Sequence, residues 1–311
     1  YSTGRLWIGT RSGIAVWNAT QGQSAQGQLV RFNLPDSIAP IPGVNIICTF
    51  CLDRQGTMWV GTKNGLLRLG NATTRPSPMG AMSTDIALTT EIRYYNNFTG
   101  TPGTTAVNTV FEDSKARLWL GTKFGLCLFD RAAGRAVRFR HNDNEATSLS
   151  DDFISTLCED SAGILWVGTS NGLNKLDALS QRFPVYYRSP QSLAELANNS
   201  ISSFCEDSDG ALWIGSDEGV NVWQRRTGTM TLISQKTAPA LPANRIKSLC
   251  RDSTGTLWIG TDKGLASYNS SSKRWNTFTK EFLDKTIVCI TADKFGRVWA
   301  GTTTGLSEYN I

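Results

Sequence analysis

Histidine is almost absent from this sequence: His141 is alone among 311 residues. A single imidazole can build neither a cluster of metal-ligating histidines nor a His-based catalytic dyad with a second histidine behind it. Long apolar runs are missing too, and none approaches the roughly 18 residues that a membrane helix requires. The net charge of +5 is spread along the chain without dense Lys/Arg tracts, so no nucleic-acid partner is expected. No amphipathic helical pattern of ten or more residues appears, which argues against a helical solenoid. No leader precedes Tyr1, and the expectation is a soluble piece cut from something longer, with no membrane insertion of its own. Zinc spacing is missing as well: Cys48 and Cys51 have no second pair suitably placed, so neither metal nor cofactor is expected.

Glycine and tryptophan, by contrast, are plentiful, with 29 and 10 copies. Seven of the tryptophans sit in one recurring phrase: Leu6-Trp7-Ile8-Gly9-Thr10, Met58-Trp59-Val60-Gly61-Thr62, Leu118-Trp119-Leu120-Gly121-Thr122 and Leu165-Trp166-Val167-Gly168-Thr169. Leu212-Trp213-Ile214-Gly215-Ser216, Leu257-Trp258-Ile259-Gly260-Thr261 and Val298-Trp299-Ala300-Gly301-Thr302 complete the set. The spacings between tryptophans are 52, 60, 47, 47, 45 and 41 residues. A period in the forties, with short apolar strands between turn signals, is that of a propeller blade. The expected fold is therefore all-β: a single seven-bladed β-propeller of four-stranded blades spanning residues 1–311.

Each repeat reads strand by strand. The fourth runs Ile154 to Asp160, Leu165 to Thr169, Leu173 to Asp177 and Phe183 to Tyr187. Its first hairpin, Asp160-Ser161-Ala162-Gly163, places an Asp to cap the turn and a Gly to accept positive φ. The same Asp-x-x-Gly recurs at Asp53, Asp207, Asp252 and Asp293, whereas Asp113 is followed by Ala116. Strands near the axis are expected to be covered on both sides, which would explain why Leu157 and Cys158 are both apolar. Repeat one begins at its second strand and repeat seven stops after its third, so 26 strands are readable where seven blades of four need two more. The stretch 71–106 lengthens repeat two. It opens on a Pro/Thr-rich run, Asn71 to Pro78, and its Arg93-Tyr94-Tyr95 reads either as a contact insertion or as the fourth strand of that blade.

The phrase Asp-x-x-Gly-x-Leu-Trp-x-Gly-Thr-x-x-Gly-Leu, carried largely intact by all seven copies, resembles the two-component regulator propeller repeat. Arg140-His141-Asn142-Asp143 through Ser148-Leu149-Ser150 resembles that family's connector between blades. The resemblance implies the periplasmic sensor half of a hybrid histidine kinase of Bacteroidetes type, responding to oligosaccharides. It implies no enzyme within this chain, since no phosphoacceptor, receiver or helix-turn-helix pattern is present.

Candidate contact residues come from comparing equivalent positions. The first variable residue of the Gly-Thr-x-x-Gly hairpin runs Arg11, Lys63, Lys123, Ser170, Asp217, Asp262 and Thr303 around the ring. Hairpins and inter-blade connectors should share one face, because strand direction alternates within a blade. Three successive cations there could orient an acidic glycan, whereas the alternative is ordinary solvated charge. Phe124 occupies a slot that is polar in the other repeats and is the aromatic candidate for ligand or partner contact. Cys51, Cys158, Cys205 and Cys250 share one position, filled by Phe111 in repeat three, and read as small core hydrophobes without disulfides. His141 reads as a loop residue, and the carboxylate pairs Asp151-Asp152 and Asp217-Glu218 carry no assignable acid and base. Trp17, Trp223 and Trp275 read as packed rather than as sugar platforms. Two functional readings stay open: a ligand-sensing propeller, and a protein-interaction or dimerisation platform, including contact with a second propeller. A propeller lyase or glycosidase lacks its convergent side chains.

Overall fold

The computed structural model describes residues 5–19, 27–70, 91–98, 106–176, 183–186, 196–278, 286–293 and 296–310. The fold is a seven-bladed β-propeller of four-stranded blades, and the described residues contain 26 strands and no helix. Compactness divides the chain into two units, residues 1–140 with blades 1 to 3 and residues 141–311 with blades 4 to 7. Blade 1 shows three described strands, β1 (Arg5–Thr10), β2 (Gly13–Ala19) and β3 (Gly27–Phe32); the blade 7 sheet, beginning at Ile287–Ala292, shows three as well. The other five sheets have four strands in sequential antiparallel order. The Pro/Thr-rich run 71–78 lies outside the described residues, and Ile92–Tyr95 is the outer strand of blade 2.

Blade 5 shows why the repeat folds as it does. Its inner strand Ile201–Glu206 pairs with Leu212–Ser216, which pairs with Gly219–Gln224 and then Thr229–Ile233. Between the first two strands, Asp207 Oδ1 accepts the backbone amides of Asp209 and Ala211 at 2.9 Å each. Its Oδ2 accepts the Nε1–H of Trp213, also at 2.9 Å. One carboxylate therefore closes the turn and locks the blade's tryptophan. Asp53, Asp113, Asp160, Asp252 and Asp293 make the same indole bond to Trp59, Trp119, Trp166, Trp258 and Trp299 at 2.7 to 3.1 Å. The turn glycines take positive φ, and Ala116 stands in that place at φ 60°.

The tryptophan ring then reaches across to the next blade. Trp59 packs on Phe129, Trp166 on Trp223, Trp213 on Tyr268 and Trp258 on Tyr309, with centroids 5.1 to 5.6 Å apart. The glycine two residues later lets strands approach. A Cβ on Gly61 would meet Thr49 at 2.6 Å and the Val107 carbonyl of the next blade at 2.7 Å, and one on Gly260 would meet Ile287 at 2.6 Å.

The second strand, not the inner one, is fully buried. Leu165–Thr169 is covered at every position, whereas the inner strand Ile154–Glu159 is buried only at Ile154 and Leu157. The inner strand pairs along one edge and leaves the other free, so Cys158 is half-covered, contrary to the two-sided burial expected of it. Its thiol is nonetheless desolvated, and burial pushes the Cys158 and Cys205 pKa values up to about 12.

Charged side chains brace neighbouring blades at the Asp-turn end. Arg131 bonds Glu112 at 2.7 Å and lies 3.6 Å from Asp53 of the preceding blade. Arg225 repeats the arrangement with Glu206 and Asp160.

Two outcomes follow for stability. Asp207→Ala strips acceptors from two amides and a buried indole, and is expected to cost about 3 kcal/mol in chemical denaturation. Ala116→Gly relieves a left-handed alanine and is expected to raise stability by about 0.5–1 kcal/mol in the same measurement.

Candidate functional site

The end of the blades opposite the Asp turns is built from the Gly-Thr-x-x-Gly hairpins and the connectors. Each hairpin is held from within: Thr62 Oγ1 donates to the Gly65 carbonyl at 3.0 Å and accepts the Asn64 amide at 3.1 Å. The hydroxyl replaces the backbone partner that a two-residue turn leaves unpaired, so a Thr or Ser is needed here. Connectors dock onto the hairpins as expected from strand alternation. The amides of Lys63, Ser170 and Asp262 donate to Ile46, Phe153 and Arg245 of their own blades' connectors at 3.0, 3.2 and 3.3 Å.

In the unit of blades 1 to 3, Arg11, Lys63, Lys123 and Phe124 are all exposed. Lys63 and Lys123, on adjacent blades, converge on one atom. The Cys48 thiol begins the inner strand of blade 2, where burial raises its pKa and the two ammonium charges pull it back. Among the described residues neither lysine has a carboxylate partner. Phe124, which follows Lys123, is 46% exposed, and its amide is tied to Thr122 Oγ1 at 3.0 Å. Backbone geometry therefore holds the ring outward beside the cation. No contact draws Arg11 into this pair.

The unit of blades 4 to 7 is different. Asp217 is neutralised by Arg245 of the next connector at 2.9 Å. That pairing also raises the arginine's pKa. The anionic stretch suggested by Asp217 and Asp262 is thus compensated at Asp217 by a residue that hairpin comparison does not include. Phe153, 38% exposed at the end of its connector, is a second aromatic that sequence comparison passed over. Its signal was its place before the inner strand, where other connectors carry Ile46, Ser200 or Arg245. Asn174 holds its connector from below, accepting the Ser150 amide at 2.9 Å and donating to Ser150 Oγ at 2.8 Å.

His141 closes the connector 141–149. Its Nδ1 lies 2.5 Å from the Leu149 carbonyl, an acceptor only, so Nδ1 carries a proton. Nε2 lies 2.8 Å from Asp143 Oδ1 and its backbone amide donates to Asp152. Among the described residues no group of three His, Cys, Asp or Glu side chains could hold a metal ion.

Four segments, residues 40–64, 148–171, 195–218 and 240–263, match the family model described as two component regulator propeller. Each runs from a connector through the inner and second strands to the hairpin. No curated protein matches the chain. Among solved structures, the extracellular domain of the putative hybrid two component system BT3049 from B. thetaiotaomicron is 20% identical with a TM-score of 0.67. That likeness covers 85% of this chain and 33% of that one, so this chain spans about a third of its length. A catalytically inactive virginiamycin B lyase from Staphylococcus aureus is 13% identical over 99% of this chain and 91% of its own, with a TM-score of 0.67. PorZ, a surface component of the type-IX secretion system of Porphyromonas gingivalis, is 16% identical over 96% and 44%, with a TM-score of 0.59. At these identities the likeness is one of fold.

The Leu149 carbonyl first, and Asp143 second, raise the His141 pKa above its ordinary value. A raised value favours the charged ring in the folded state, so its contribution to stability is full below the unfolded pKa of about 6.5 and is lost as pH rises through the folded one. NMR titration of this single histidine should show the raised value. The difference in melting temperature between wild type and His141→Gln should shrink as pH increases from 6 to 9.

Proposed function

We propose that this chain, whose blades carry the two-component regulator propeller repeat, is a ligand-sensing propeller from the extracytoplasmic, periplasmic part of a hybrid two-component sensor. The ligand class is an oligosaccharide, and the acidic members of that class fit best. The observation that carries this reading is the convergence of Lys63 and Lys123 beside Cys48, unpaired among the described residues, with Phe124 exposed next to them. Two cations a blade apart can straddle a carboxylated sugar, and an aromatic ring held outward offers a face for stacking. Arg11 occupies the matching hairpin position of blade 1 and extends the same positive edge. Four family-matched segments, each ending on a hairpin of this face, support the sensor assignment.

Catalysis is assigned elsewhere in the parent protein. His141 is engaged on both ring nitrogens within its own connector, and the paired carboxylates sit on turns. A second reading draws on Phe124 and Phe153, whose exposure at connector and hairpin ends suits protein contact, with a second copy or a second propeller as partner.

A thermal-shift screen against neutral and acidic oligosaccharides separates the two. A ligand of the folded state adds RT ln(1 + [L]/Kd), about 2.7 kcal/mol at one hundred times Kd. The expected outcome is a saturable shift with one acidic class. Lys63→Ala/Lys123→Ala should then weaken binding roughly tenfold or more, as loss of charge-assisted contacts implies. Undiminished affinity in that variant would sink the assignment of the site, and no shift across the panel would favour the interaction platform.

A further inference from the structure

In blades 2 to 6 the Leu-Trp-x-Gly-Thr phrase is buried at every position, because each second strand is paired along both edges. The same phrase in β1 is treated otherwise. Leu6, Trp7 and Ile8 are half-exposed, and Gly9 and Thr10 are exposed. β1 pairs with β2 along one edge, Leu6 opposite Trp17 and Ile8 opposite Ala15. Its other edge, which takes the inner strand in the six sister blades, has no strand partner among the described residues. An apolar six-residue strand with an open edge is a template for a further strand.

A second observation points the same way. The indole Nε1–H of the repeat tryptophan is held by an Asp carboxylate in the other six blades, at 2.7 to 3.1 Å. Trp7 has the ring in place, packed against Phe32 and Phe50 with centroids 6.0 and 6.3 Å away. Yet its indole N–H meets no acceptor among the described residues. Edge and donor therefore lack the two things that one segment supplies elsewhere in this chain: a strand, and the carboxylate at its end.

We propose that the open edge of β1 is a docking site for one extended peptide segment of the repeat's inner-strand type. The sister blades define its chemistry. Val107-Asn108-Thr109-Val110-Phe111-Glu112-Asp113 and Ile154-Ser155-Thr156-Leu157-Cys158-Glu159-Asp160 share a β-branched start, a Thr two residues on, an apolar pair and then Glu-Asp. In blade 4 Ile154 faces Thr169, Leu157 faces Val167 and Glu159 faces Leu165, with one bulge after the first residue. Transferred to blade 1, the first residue of the docked segment faces Thr10, its first apolar partner faces Ile8, and its Glu faces Leu6. The Asp that follows receives the Trp7 indole. The free backbone groups of β1 supply affinity, while the Asp and the alternate apolar residues supply choice among peptides.

The test titrates the 311-residue chain with a labelled synthetic peptide having the sequence of residues 107–117, which contains no cysteine. Three comparisons accompany it: the peptide with Asp113→Ala, the peptide N-methylated at alternate residues, and the chain carrying Trp7→Phe. Saturable binding is expected, about tenfold weaker for the alanine peptide and abolished by N-methylation. On Trp7→Phe the two unmethylated peptides should bind alike, since the donor is gone, and this comparison isolates the indole–carboxylate pair. The N-methylated peptide keeps the test valid even if Trp7→Phe folds poorly. No binding at millimolar peptide overturns the proposal, as does equal binding of the aspartate and alanine peptides to the wild-type chain. Concentration-dependent dimerisation that the peptide cannot reverse would show a second copy on the edge instead, and also overturns it.

Discussion

A buried carboxylate bonded to a buried indole sets the geometry on which each blade depends. Asp160 lies 4% exposed, a location that strongly penalises a charge unless hydrogen bonds replace its hydration. Three donors do so: the amides of Ala162 and Ile164 and the Nε1–H of Trp166. The turn cannot open without stranding the charge, and the tryptophan cannot rotate without stranding its own N–H. Fixing the ring fixes the surface against which Trp223 of the next blade packs. A local hydrogen-bond requirement thus becomes blade-to-blade register, which is how a chain of weakly specific β-repeats acquires a unique packing.

The two ends of the blades put charge to different uses. At the Asp-turn end, ions are paired across neighbouring blades, as Arg131 and Arg225 with their Glu and Asp partners show. Those pairs are partly buried and satisfied, and they brace the scaffold. At the hairpin end the structural demand is met by hydroxyls and backbone groups alone, Thr62 Oγ1 with Gly65 being typical. The two intervening residues are left without a packing role and are free to vary. That freedom explains how equivalent positions carry Lys63, Lys123, Ser170 and Asp217 on one scaffold, and why chemistry there reflects contact rather than folding.

Much of this was legible in the sequence because repetition turns single residues into aligned columns. The Leu-Trp-x-Gly-Thr phrase, the Asp-x-x-Gly turn and the strand order are all local, and the structure has them where the sequence places them. The strand Leu165–Thr169 agrees to the residue. The indole–carboxylate bond was not read, although the Asp and Trp stand six residues apart in every complete repeat. Turn chemistry accounts for the Asp without it. The inner strand was misjudged for a related reason. Apolar residues on both faces suggest cover on both faces, but a free strand edge leaves Cys158 half-exposed while its thiol stays desolvated. Arg245 was missed because it lies in a connector, where lengths differ and columns do not align.

The candidate site sits on the part of the blade with least slack. Lys63 follows Gly61 by two residues, and Gly61 has so little room that a single Cβ would collide with Thr49 and with the Val107 carbonyl of blade 3. Lys123 belongs to blade 3, whose inner strand begins at that same Val107. A ligand bridging the two ammonium groups would therefore span an interface already packed backbone to backbone. Close-packed contacts of this kind respond by discrete shifts rather than by gradual compression. Ligand charge at the rim would thus bear directly on the spacing of blades 2 and 3, through groups whose positions the Asp–Trp bonds have already fixed.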